Sequence, residues 1–81
     1  MARIIKTDGT TELTSDLSLE NLQSIVGGYV EEIKVPGMLA STMIVNEDGR
    51  AGYLRYNRVA STIVGVPLFG NVVICDREEL E

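Results

Sequence analysis

The residues best equipped for chemistry stand together in one short segment, Arg50-Ala51-Gly52-Tyr53-Leu54-Arg55-Tyr56-Asn57-Arg58. It holds three of the chain's five arginines, two of its three tyrosines and no acid, although seven basic and twelve acidic residues give the whole chain a net charge of −5. Guanidinium forks bind phosphate bidentately, and tyrosine rings stack on bases. The segment ends where Asn57 can open a helix, whose first free amides favour an anion. The spacing predicts a site for a small phosphate-bearing, nucleotide-like ligand at Tyr53, Arg55, Tyr56, Asn57 and Arg58, with Tyr29 and Glu31 as walls. In the alternative, Tyr53 and Tyr56 cover a small core and the arginines pair with Glu31, Glu32 or Asp48.

Other chemistries are thinly supplied. The 81 residues include no His, no Trp and one Cys. These absences remove Ser-His-Asp and Cys-His nucleophilic sites, His-ligated zinc and any internal disulfide. Asp8, Glu47 and Asp48 sit in Asp-Gly turns without EF-hand spacing, so no metal is expected. Gly27-Gly28 follows a helical pattern and has no Lys-Ser/Thr after it, which reads as a helix stop and not as a phosphate loop. Glu31 stands in an otherwise apolar row with Tyr29, Ile33 and Val35, as a solvated edge residue, a partner for Arg55 or Arg58, or an acceptor for a ligand amine or hydroxyl. Cys75 reads as a buried small hydrophobe. No pair of groups with evident acid–base roles is present, so the expectation is a binding protein that is not an enzyme, with no cofactor and no catalytic residue.

The elements that must carry these residues follow from periodicity. Residues 2–7 and 10–14 form a hairpin around Asp8-Gly9. Ser18 caps a helix with Leu19, Leu22, Ile25 and Val26 on its apolar face; Leu17 and Leu22 form its staple, and Gly27 ends it. Residues 29–35 are a strand closed by Pro36-Gly37. The second half repeats the order: a strand over 39–45, a turn at 46–49, a returning arm over 50–54, a helix from Asn57 to Val64 stopped by Gly65, and a strand over 71–75. Ile4-Ile5-Lys6-Thr7-Asp8-Gly9 corresponds to Ile44-Val45-Asn46-Glu47-Asp48-Gly49, and Ser24-Ile25-Val26-Gly27 to Thr62-Ile63-Val64-Gly65.

The predicted architecture is α+β, with a mostly antiparallel sheet, two short helices on one face and two ββαβ-like halves. Residues 1–75 form a single domain and residues 76–81 an acidic tail, frayed and solvated, that carries −3 of the net charge. One sheet face or edge would be left open in so small a domain, which predicts a homo-oligomer, dimer or tetramer. The acidic balance argues against nucleic-acid polymers as partners. The absence of a long apolar run argues against a membrane span or signal peptide, so the chain reads as soluble and cytoplasmic.

Three motifs in order, Leu22-Gln23-Ser24-Ile25-Val26-Gly27-Gly28-Tyr29-Val30-Glu31, Val45-Asn46-Glu47-Asp48-Gly49 and Asn57-Arg58-Val59-Ala60, resemble a small family of unknown function known chiefly from bacteriophages and large DNA viruses. The resemblance covers most of residues 20–75. The chain departs from it at Leu54-Arg55-Tyr56, where relatives usually have a Leu-Pro step. The resemblance assigns no activity. It implies a phage-type accessory protein acting in the host cytoplasm by stoichiometric binding. The expected action is sequestering a cyclic-nucleotide defence signal; the alternatives are inhibition of a host defence protein and hydrolysis of a nucleotide signal by Glu31 or Asp48.

Overall fold

The computed structural model describes residues 1–49 and 53–80. Strands β1 (Ala2–Ile5) and β2 (Thr11–Thr14) pair antiparallel, Ala2 opposite Thr14. The turn between them is closed by Asp8, whose Oδ1 accepts from the Thr10 N–H at 2.9 Å and its hydroxyl at 2.6 Å. Helix α1 (Leu19–Val26) begins where the Ser18 hydroxyl accepts from the Asn21 N–H, and ends at Gly27, whose φ of 82° favours a residue without a Cβ. Strands β3 (Val30–Lys34) and β4 (Ser41–Asn46) follow, then helix α2 (Arg58–Val64), capped by Asn57 and stopped by Gly65 at φ 80°, and strand β5 (Val72–Asp76). At eight and seven residues, neither helix is stable without the sheet.

The strands form one antiparallel sheet in the order β2-β1-β5-β4-β3. The last strand of the first half, β3, pairs with β4 of the second, and the last strand of the second, β5, pairs with β1 of the first. The halves therefore interlock and share one core.

The helices divide between the two sheet faces; they do not share one. Leu22 and Val26 of α1 pack with Ala2, Ile4, Ile44, Val73 and Cys75. Ala60 of α2 packs with Ile5, Met43, Val45 and Val72, the pleat neighbours of that set, together with Leu68. Successive strand residues point to opposite faces, so the two clusters lie on opposite sides of the sheet. The physical reason is visible in the strands. Ile4-Ile5, Met43-Ile44-Val45 and Val72-Val73 are unbroken apolar runs, which need burial on both sides. The face expected to be open is thus partly covered by α2 and residues 65–69.

Two further expectations change. The returning arm over 50–54 lies partly outside the described residues, at 50–52, and Tyr53 and Leu54 form a turn and bend, not strand. The acidic end is folded onto the domain: Arg77–Leu80 forms a 3₁₀ turn, and Leu80 packs against the α1-side core. There Glu79 accepts from the Asp76 N–H at 3.0 Å and pairs with the Met1 ammonium at 2.9 Å.

Candidate functional site

The structure disperses the predicted arginine–tyrosine site. Residues 55–57 run antiparallel to residues 68–70, held by Asn57 N–H donating to the Leu68 carbonyl at 2.8 Å and Gly70 N–H donating to the Arg55 carbonyl at 2.7 Å. Tyr56 and Phe69 form the bridge between them, with rings edge-to-face at 5.6 Å. Neighbouring residues of an extended segment point opposite ways, so Arg55 and Asn57 face away from Tyr56. Arg55 and Tyr53 line a shallow cleft of about 260 Å³ beside Gly27 and Asn71, while Tyr56 lines a separate one of about 310 Å³ beside Thr62 and Pro67. Arg58 is exposed at the start of α2.

Asn57 is not available to a ligand. It is fully buried; its Nδ2 donates to the carbonyls of Ile5 at 3.0 Å and Gly70 at 2.9 Å, and its Oδ1 accepts from the Ala60 N–H at 3.1 Å. Both amide protons tie the start of α2 to Ile5 and the Gly70 corner, while the oxygen caps the helix. The core-lid alternative is not formed either, because Tyr53 and Tyr56 are 65% and 52% exposed. Of the expected arginine pairs, those of Arg50 lie outside the described residues; among the described residues, Arg55 and Arg58 have no carboxylate within salt-bridge distance, and the ion pairs found are Lys6–Glu12 at 3.0 Å and Met1–Glu79.

Glu31 belongs to a different place. The pleat of β3 sets Glu31 and Ile33 on the α2 side of the sheet, where they border a groove of about 480 Å³ between the sheet and residues 66–69. Its apolar wall is Ile33, Val45, Leu68, Phe69, Val66 and Pro67, and its rim carries the carboxylates of Glu31, Glu47 and Asp48. Among the described residues, no basic side chain lines it. Tyr29 stands just before β3, 72% exposed, and its carbonyl accepts from the Glu47 N–H at 2.9 Å.

The residue that fixes this rim is Asn46, the first position of the turn predicted over residues 46–49. It is buried; its Nδ2 donates to the Val26 carbonyl at 3.0 Å and its Oδ1 accepts from the Asp48 N–H at 2.7 Å. One amide therefore ties the end of α1 to the turn that presents Glu47 and Asp48. An Asn at the head of Asn-Glu-Asp-Gly, able to accept from the N–H two residues on, was the available signal.

Among the described residues, no three His, Cys, Asp or Glu side chains are placed to hold a metal ion. Cys75 is buried, and its thiol pKa is pushed up to about 11 by burial first and then by the charges of Glu79 and Asp76, which leaves it protonated and unreactive. No described helix is long and apolar enough to cross a membrane.

The sequence profile of the domain of unknown function DUF3846 matches residues 1–81. The chain belongs to the DUF3846 family. That match spans the whole chain, so the five-stranded sheet, both helices and the acid-rimmed groove all lie within the DUF3846 domain. No curated protein and no solved structure matches the chain.

Proposed function

We propose that this DUF3846 chain is a stoichiometric binding protein, not an enzyme, and that its acid-rimmed groove takes a basic, partly apolar segment of a partner protein. The observation that carries the reading is the groove's composition: three carboxylates on the rim, an apolar wall beneath them, and no cation among its described lining residues. Such a cleft favours a lysine or arginine beside an aliphatic or aromatic anchor, with the apolar contact supplying affinity and the rim supplying orientation and on-rate. It disfavours phosphate. In this reading the protein is a phage or viral accessory factor in the host cytoplasm, and its target is a host protein. The motif resemblance supports that context.

Selection of a random peptide library against the folded chain tests this. Enriched peptides should carry Lys or Arg within a few residues of a large apolar side chain. Their affinity should fall about tenfold when Glu31→Gln, Glu47→Gln and Asp48→Asn are combined, since exposed ion pairs contribute roughly 0.2–1 kcal/mol each. Enriched acidic peptides, or affinity unmoved by the triple variant, would contradict it.

A second reading keeps the nucleotide-like ligand, now at Tyr53 and Arg55 alone. The cleft they share and the free Arg55 guanidinium among the described residues favour it. A thermal-shift screen with cyclic di- and trinucleotides and ADP-ribose derivatives decides it: a true ligand raises the melting temperature in the unaltered chain and not in Arg55→Ala.

A further inference from the structure

We infer that two copies of the chain pair antiparallel along strand β3, with Ile33 on the two-fold axis and Glu32 of each copy facing the partner's Lys34. The inference does not rest on what the groove binds. Among the described residues, strand β3 ends the sheet, paired only with β4. The Glu47 N–H donates to the Tyr29 carbonyl, and the antiparallel alternation then turns the backbone groups of Glu31 and Ile33 toward β4. Those of Val30, Glu32 and Lys34 point outward. A second β3 can use the outward groups only in registers that set even-numbered residues opposite even-numbered ones.

Charge selects among those registers. Centring on Glu32 sets Glu32 opposite Glu32, and centring on Glu31 sets Glu31 opposite Glu31. Centring on Ile33 sets Glu32 opposite the partner's Lys34 twice over, each pair exchanging both backbone hydrogen bonds and matching opposite charges on one sheet face. The ladder then ends naturally at Val30, which would face the partner's Pro36, a residue without an N–H. The other sheet edge has no such option: β2 reads Thr11-Glu12-Leu13-Thr14 and carries an acid with no base.

The same register resolves the exposed apolar residues at the ends of β3. Tyr29 precedes the strand and is 72% exposed, while Met38 and Leu39 follow it at 49% and 92%. Antiparallel pairing about Ile33 brings Tyr29 opposite the partner's Gly37, beside the partner's Met38 and Leu39. It also places the two acid-rimmed grooves on one continuous face, because Glu31 and Ile33 border each of them. A rival reading makes Glu32 and Lys34 mere guards that keep the edge from pairing.

Sedimentation and oxidative crosslinking separate the two. The expected result is a species of twice 8.8 kDa at about 100 µM. Glu32→Lys and Lys34→Glu should each weaken the dimer tenfold or more, because like charges then face each other twice, and the double exchange should restore it. Both side chains are exposed, so neither single change threatens the fold. Ile33→Cys should crosslink on oxidation, since directly opposed residues of a non-hydrogen-bonded pair lie about 4.5 Å apart at Cα, within disulfide reach, while Glu31→Cys should not. A monomer at that concentration overturns the inference. So does a dimer indifferent to both charge reversals, or one in which Ile33→Cys fails to crosslink.

Discussion

Asn57 reaches across 52 positions of sequence to donate its side-chain amide to the carbonyl of Ile5 at 3.0 Å, inside a core that excludes water from both. The same residue caps α2, so a single side chain joins the first strand, the second helix and the Gly70 corner. Asn57→Ala should cost about 2–4 kcal/mol, the sum of a lost cap and two buried carbonyls left without donors. Urea unfolding monitored by circular dichroism measures this; a loss under ~0.5 kcal/mol, typical of a surface change, would contradict the assigned role.

Both faces of the sheet are core, and two adjacent residues report it separately. Met43 packs under α2 with zero exposure, and Ile44 packs under α1 with 3%. Met43→Ala and Ile44→Ala should each destabilise by about 2–5 kcal/mol. With both helices on one face, one of the two would be nearly neutral.

Much of this was legible in the sequence. Asp8-Gly9 marked the first hairpin, and Ser18, Gly27, Asn57 and Gly65 marked both helices to the residue, because caps and stops are local chemistry. The division of the helices between faces was also written there, in Ile4-Ile5 and Met43-Ile44-Val45, but period-two reasoning looks for alternation and passes over continuous runs. The candidate site was less legible. Proximity in sequence put Arg55, Tyr56 and Asn57 together, and the extended pairing with residues 68–70 pointed them apart. The groove joins Glu31 and Ile33 with residues 45–49 and 66–69, and no local pattern announces a junction of three segments.

Cys75 should be silent in the native state. Burial holds it as the neutral thiol, with its pKa pushed up to about 11. At about pH 8 Ellman's reagent should modify it only at the rate of unfolding, and completely in denaturant. Rapid stoichiometric reaction of the folded protein would show that the thiol is accessible.

Acid should loosen the two turns that carboxylates close. Asp8 is held below its ordinary 3.8 by the Thr10 hydroxyl and N–H, and Asp16 below the same value by hydrogen bonds from Ser18. A carboxyl with a lowered folded pKa contributes its full stability above the unfolded value and loses it as the pH falls through the folded one. Between pH ~6 and pH ~2.5 the urea midpoint should therefore drop less in Asp8→Asn/Asp16→Asn than in the unaltered chain. An equal or steeper drop in the double variant would sink this assignment.

The groove is the centre of the account, and amide chemical-shift mapping tests it most directly. Titrating the labelled chain with a short peptide that combines arginine and leucine should move Glu31, Ile33, Val45, Asp48 and Phe69 together and saturably, leaving Tyr53 and Arg55 in place. Saturable shifts confined to Tyr53, Arg55 and Gly27, or none around the groove, would contradict it.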